Sequence, residues 1–534
     1  MNLIGCEHLP VSKCCSQALG GCVHSQFGYP PEGVIKERMR LGDLLIEAKL
    51  ITAQDVARAL EVQAEKGGRL GDRLVSIGAI SQNALESFIH RMPREPVDLE
   101  SVGIDPIALL SLLLRMIYVD HLESVRQFVE GIKLPYTIVL DLVQMGVDRK
   151  LLQNLGTRES ENMADMKYMF TDAGRRWVLD ALEQVRYTGP APVTLNEFSA
   201  QVRLQKITNE TITFDRIRKG LGELVVENNI IENIGPALNS GRAILLYGPP
   251  GNGKTSVAIS FANVFTDVIY VPYAVYVEGQ IMRLFDPSLH TVLTPPQLPN
   301  SGGGGDGMLS FVRREEYDAR WVPCRRPFVI TGGELTLEML DLRYDATANY
   351  YEAPLHVKAL GGCFMIDDFG RQLVSPKSLL NRWIVPLENR YDYLKLHTGK
   401  SFTVPFEELV IFSTNLEPED LMDPAFLRRL PYKIEVGGPT VEIYKRIFEK
   451  ECERQGLALP ADVFEHIVHK VMVEKELELA AYQPKFIVDQ VVATCRFMGE
   501  PSHFEPRFVD YAIDNLRTKR HGPPSEHTSA DAGH

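Results

Sequence analysis

The run Gly248-Pro249-Pro250-Gly251-Asn252-Gly253-Lys254-Thr255, followed by Ser256, has the residue types and spacing of a backbone cradle for phosphate. Glycines let the chain curl so that successive N–H groups converge on an anion, and a helix opening at the end of the loop adds its partial positive charge. In that position a lysine reaches the outer phosphates and a hydroxyl can hold Mg2+, roles that fall to Lys254 and Thr255. A Gly/Pro turn between strand and helix has the same look, so the flanks decide. The apolar run Ala243-Ile-Leu-Leu-Tyr247 predicts a buried strand before the loop, and residues 256–264 predict a helix after it.

Three later segments carry chemistry in a matching order. Gly362-Cys-Phe-Met-Ile-Asp367-Asp368 reads as a buried strand ending in two acids, the first placed to complete a metal shell with Thr255 and the second to polarise an attacking water. Leu409-Val-Ile-Phe-Ser-Thr-Asn415 reads as another, whose terminal amide a parallel sheet would set beside the outermost phosphate. Asp423-Pro-Ala-Phe-Leu-Arg428-Arg429 places two guanidinium groups at the end of a short helical segment. Singly, each is more often structural than catalytic. In this order they are not independent.

Together these segments resemble the Walker A, Walker B, sensor 1 and arginine-finger elements of the AAA+ ATPases, over residues 227–437. The stretch from Asp368-Phe-Gly-Arg371 to Tyr391-Asp-Tyr-Leu-Lys-Leu-His397-Thr-Gly-Lys400 is similar to MoxR-type members, in which a β-hairpin precedes sensor 1. The resemblance implies ATP and Mg2+ as cofactors and a homo-oligomeric, commonly hexameric, ring in which one copy's finger completes the neighbour's site. It also implies remodelling of a protein or nucleic-acid partner. Arg429, directly before the apolar Leu430, is the expected finger. Asp368 stands where the family usually has Glu, which implies slow turnover or a nucleotide-gated scaffold. Lys485 stands where a late lid helix usually carries Arg, and supplies charge without a bidentate fork.

An internal repeat precedes the ATPase-like region: Arg40-Leu41-Gly42 and the residues after it are echoed by Arg69-Leu70-Gly71, with Thr52 and Ser81 as N-caps of a second helix in each copy. This resembles the MshEN-type domain of type II secretion and pilus ATPases, some of which bind cyclic di-GMP through the two R-L-G corners. An arginine can pair with guanine or phosphate, and a glycine corner can let backbone N–H groups approach a ligand. Lys49 replaces the usual glycine of the first copy. A docking role with Arg40 and Arg69 as surface groups stands beside the cyclic di-GMP reading. Residues 96–190 predict helix, turn and helix at 124–131 and 135–146, then a strand and closing helix that resemble a winged-helix domain. The second helix carries Asp141 and no base before Arg149, which favours protein docking over DNA binding.

The whole chain bounds these readings. Its 534 residues, 45% apolar, suffice for several cores, and its net charge of −13 argues against a basic surface spread over the protein. Expected units are a leader (1–38), the repeat domain (39–95), the winged-helix-like domain (96–190), an α/β P-loop parallel-sheet core (191–437), a helical lid (438–515) and a disordered tail (516–534). No run suits a bilayer span or a signal peptide, which gives a cytoplasmic expectation without membrane insertion. Eight cysteines suggest no disulfide framework, and the Cys6, His8, Cys14, Cys15, Cys22, His24 cluster fits no paired zinc spacing. The Gly-rich run at 295–307 reads as a loop within the core.

Overall fold

The computed structural model describes residues 39–156, 166–294 and 317–516. The Cys/His cluster, the run at 295–307 and the tail beyond 516 lie outside the described residues. In the repeat, α1 (Leu41–Glu47), α2 (Ala53–Lys66), α3 (Leu70–Ser76) and α4 (Gln82–His90) form two helical pairs. The hydroxyls of Thr52 and Ser81 accept from the amides of Asp55 and Ala84, so both predicted N-caps form. After α1 the chain turns through Lys49 at φ 56°, and after α3 through Gly78 at φ 73°. Leu50 N donates to Leu45 O, as Ala79 N does to Leu74 O, closing both helices in the same way. A Cβ costs energy in that left-handed conformation, so Lys49→Gly is expected to raise stability by about 0.5–1 kcal/mol, readable as a shift in denaturant midpoint.

Four short helices cannot close a core alone. Leu44, Leu45 and Phe88 share one apolar cluster with Ile269, Tyr270 and Trp321 from far along the chain. Arg91 pairs with Asp267 at 2.6 Å, and Pro93 O accepts from Asp318 N at 2.9 Å. Next come α5 (Pro106–Val119), α6 (Val125–Ile132), α7 (Tyr136–Asp148), the antiparallel pair β1 (Leu152–Gly156) and β2 (Lys167–Phe170), and α8 (Asp172–Gln184). Ser124 caps α6, and Lys133 at φ 61° makes the turn into α7. Their core also takes in Ala274, Ile281 and Tyr350. The first cluster draws on residues from 39–92 and the second on residues from 102–191, and each is completed by residues further along the chain.

The remainder is built from β3 (Val193–Thr194), α9 (Leu195–Leu204), α10 (Phe214–Leu221), α11 (Asn228–Ser240), β4 (Ile244–Tyr247) and α12 (Lys254–Val264). Then follow β5 (Val268–Pro272), β6 (Ala274–Val277), β7 (Gln280–Arg283), β8 (Trp321–Arg325), β9 (Phe328–Thr331), β10 (Arg343–Asp345), β11 (Tyr350–Glu352) and α13 (Leu355–Lys358). The chain continues through β12 (Cys363–Ile366), α14 (Pro376–Asn389), β13 (Tyr391–Lys395), β14 (Ser401–Pro405), β15 (Leu409–Ser413), α15 (Pro418–Leu421), α16 (Pro424–Leu427) and β16 (Tyr432–Glu435).

Five of these strands make the central sheet, in the order β16-β4-β15-β12-β9, with every pairing parallel. A parallel sheet is covered on both faces, and accordingly every residue of β12 and β15 is buried. The fold is an α/β P-loop core with a helical lid: α17 (Val441–Gln455), α18 (Ala461–His469), α19 (Gln483–Met498) and α20 (Pro506–Asp514) pack around Tyr444, Phe448, Ile487 and Val509. No helix among the described residues is long and apolar enough to cross a membrane.

A second sheet, in the order β10-β11-β7-β6-β3, and the antiparallel β5–β8 pair were not anticipated. The expected hairpin is β13–β14, and its tip is docked on this second sheet. The His397 ring stacks on Tyr344 at a centroid distance of 4.2 Å and bonds the Tyr351 hydroxyl, while Lys400 pairs with Glu278 at 2.8 Å.

Candidate active site

Sheet order dictates what meets at the carboxyl ends of the strands. Because β15 lies between β4 and β12, the residue following β15 is set between the loop after β4 and the acids after β12. The loop runs from Gly248 at φ 129° through Gly251 at φ 82° to Gly253 at φ 85°, all in the region that disfavours a Cβ. Gly253 is the N-cap of α12 and offers no capping side chain, so the first-turn amides stay available to an anion.

Lys254 opens α12 with only 6% of its surface exposed. Its Nζ donates to Gly248 O at 2.9 Å, to Pro249 O at 2.9 Å and to Asn415 Oδ1 at 2.7 Å. Burial opposes its charge and lowers its pKa, while the Asp367 and Asp368 carboxylates push the other way. Thr255 Oγ1 donates to Asp367 Oδ2 at 2.9 Å, and Asn415 Nδ2 donates to Asp368 Oδ1 at 3.0 Å. Lys254, Thr255, Asp367, Asp368 and Asn415 are thus brought together in one hydrogen-bonded group. The Thr255 hydroxyl and Asp367 carboxylate are an all-oxygen set with few protein ligands, the kind that fits Mg2+, which keeps several waters.

Asp368 sits at φ 47° and is exposed. Strain of this kind persists where surroundings hold it. Here the holder is Gln372, which sequence reasoning missed: its amide nitrogen reaches Gly332 O, Asp367 O and Asp368 O at 3.1–3.3 Å, and its Oε1 accepts from Gly370 N at 2.8 Å. Nothing in its sequence neighbourhood marks it, because its partners come from two strand ends.

The lid begins against the phosphate loop. Tyr482 N donates to Gly251 O at 3.0 Å, and Ala481 N donates to Asn252 Oδ1 at 3.2 Å. A Cβ on Gly251 would lie 2.4 Å from the Tyr482 ring, so glycine is required there for contact as well as conformation. Lys485 is exposed in the first turn of α19. Beside Asn252, a cleft of about 640 Å³ opens between core and lid, with Val226, Ile230, Tyr247, Pro439 and Ile443 in its walls. These apolar residues were also missed, since they come from segments two hundred positions apart in the chain.

The two arginines part company. Arg429 is half-buried, donates to Ala425 O at 2.7 Å and pairs with Glu388 of α14 at 2.7 Å. Arg428, at the end of α16, is exposed. In the repeat, Arg40 and Arg69 are exposed N-caps of α1 and α3, whereas Leu41, Gly42 and Gly71 are buried and Leu70 is half-buried. A Cβ on Gly42 would meet Val56 at 3.2 Å, and one on Gly71 would meet Leu85 at 3.0 Å. Both glycines therefore lie in close contact with a neighbouring helix.

Residues 440–515 match a family model described as a domain of unknown function, DUF8689. The chain is 35% identical over 68 residues to the type IV pilus assembly ATPase PilB of Myxococcus xanthus, which is 12% of each protein. It is 26% identical over 193 residues to the proteasome-activating nucleotidase of Methanospirillum hungatei, 34% of this chain and 42% of that one. The chain therefore spans less than half the length of these curated relatives. Among solved structures, the Thermotoga maritima RuvB Holliday junction branch migration motor aligns with 13% identity and a TM-score of 0.30, covering 55% of this chain and 70% of that one.

Proposed function

We propose that this protein is an AAA+-type ATPase that hydrolyses ATP with Mg2+ in a homo-oligomeric ring and uses the cycle to remodel a protein partner. The observation that carries the reading is the hydrogen-bonded group at the strand ends, in which Lys254 and Asn415 lie 2.7 Å apart and Asn415 also holds Asp368. In this reading the loop amides and Lys254 grip the β- and γ-phosphates, Lys254 exchanging its carbonyl partners for phosphate oxygens. Mg2+ supplies charge neutralisation, held by Thr255 and Asp367. Asp368 accepts a proton from the attacking water, and Asn415 fixes the carboxylate that does so. The cleft between core and lid takes the base against its apolar walls, and Lys485 lends charge from the lid.

Asp368→Asn is expected to keep ATP affinity within a few-fold while turnover falls at least about 100-fold, the usual scale for losing a general base. Equilibrium binding of a fluorescent ATP analogue beside a phosphate-release assay checks this. A variant with undiminished turnover would remove Asp368 from the mechanism; a wild type that binds ATP without turnover would favour the scaffold reading.

Arg428, exposed, is the guanidinium a neighbouring copy can receive, in preference to the ion-paired Arg429. The repeat domain is proposed as a docking or sensing unit, with cyclic di-GMP as its small-molecule candidate through Arg40 and Arg69. Titration of the full chain with cyclic di-GMP in a calorimeter is expected to give saturable heat that Arg40→Ala with Arg69→Ala abolishes; no heat from the wild type removes this ligand. Asp141 and Asp148 on α7 weigh against DNA as partner. The proposed compartment is the cytoplasm.

A further inference from the structure

Helix α5 has the sequence Pro-Ile-Ala-Leu-Leu-Ser-Leu-Leu-Leu-Arg-Met-Ile-Tyr-Val, with Arg115 as its one charged residue. Arg115 is 5% exposed, and its Nε has no hydrogen-bond partner. Among the described residues no carboxylate pairs with it. Buried arginines are ordinarily paired, because an uncompensated charge away from water is costly. Burial lowers its pKa to about 10, with the Tyr187 phenol acting in the opposite direction, so the group is still a cation at neutral pH. Nothing in the proposed ATPase cycle uses it.

This guanidinium lines a cavity of about 440 Å³ bounded by α5, α8 and the turn between β6 and β7. Leu112 and Ile281 supply apolar wall, and Trp177, half-buried, and Tyr276 supply aromatic faces. Asp105 and Asp180 also line the cavity but are exposed, which places two negative charges on the solvent side and one positive charge in the interior. That pattern selects by charge count. A polyanion meets both aspartates, whereas a single carboxylate on an apolar body can pair with Arg115 and bury its body against the aromatic faces.

We infer that this cavity is a binding site for a small apolar monocarboxylate, with Arg115 as its counter-ion and Trp177 as its aromatic wall. It is separate from the strand-end group and does not depend on the ATPase reading.

The test uses the full chain with benzoate, benzyl alcohol and inorganic phosphate as probes, followed by calorimetry and by tryptophan emission. Trp321 and Trp383 are buried in other clusters, so Trp177 reports on the cavity. Benzoate is expected to bind at least tenfold more tightly than benzyl alcohol and to change the emission, and phosphate should not displace it. Arg115→Met should lose the preference for benzoate while melting cooperatively, and Trp177→Phe should lose the emission change while retaining benzoate heat. Equal binding of benzoate and benzyl alcohol, displacement by phosphate at equal concentration, or an Arg115→Met protein that keeps the preference would each overturn the assignment. If Arg115→Met does not fold, the wild-type comparison of the three probes still decides.

Discussion

Lys254→Ala is expected to reduce ATP turnover by about 10³-fold or more and to weaken ATP binding, with little loss of fold stability. The side chain makes three hydrogen bonds, all to oxygens at the mouth of the loop. Two charge-assisted bonds to phosphate at about 2 kcal/mol each account for roughly 10³ in affinity or rate. The fold should tolerate the change because the carbonyl of exposed Pro249 is open to water, and the space the lysine vacates lets water follow to the carbonyl of buried Gly248. Thermal melting beside steady-state phosphate release separates the effects: a normal melt with lost turnover is the predicted pair, and full turnover would mean that this loop is not the working site.

Arg428→Ala should leave ATP affinity within about twofold of wild type and lower turnover by about 10³-fold, the scale of a guanidinium that acts only on transition-state charge. Arg429→Ala should behave differently. It removes the pair with Glu388, whose two side chains are 25% and 45% exposed, so solvent screening limits the loss to about 1 kcal/mol or less. Its turnover should fall only as far as the tilt of α16 is disturbed. If instead Arg429→Ala abolished hydrolysis and Arg428→Ala did not, the in-chain ion pair would have to break on ring assembly, and the sequence expectation for Arg429 would stand.

Both expectations separate what the chain displays openly from what it conceals. The central strands announce themselves as continuous apolar runs, such as Leu409-Val-Ile-Phe, because both faces of a parallel sheet are covered. The glycines of the phosphate loop were legible for a related reason: each stands where left-handed backbone is needed. The second sheet was not legible. Gln280-Ile-Met-Arg283 and Val193-Thr194 are too short for a period to register, and remote pairing ties them into one sheet, Met282 with Tyr351 and Val193 with Val275. The cleft and Gln372 were hidden likewise, since their meaning lies in neighbours brought together only by folding. In the sequence Arg115 is merely the one charge within the apolar stretch Pro106–Val119, and only its burial makes it an unpaired cation.

The central claim is that a triphosphate gripped by one copy is completed by Arg428 from the next, and mixing two inactive proteins tests it directly. Lys254→Ala retains its finger and lacks the grip; Arg428→Ala retains the grip and lacks the finger. In a randomly assembled head-to-tail ring at equal concentrations, about a quarter of interfaces join an intact loop to an intact finger. The account predicts that the mixture recovers ATP turnover toward about a quarter of wild type, and a mixture as inactive as either protein alone would contradict it.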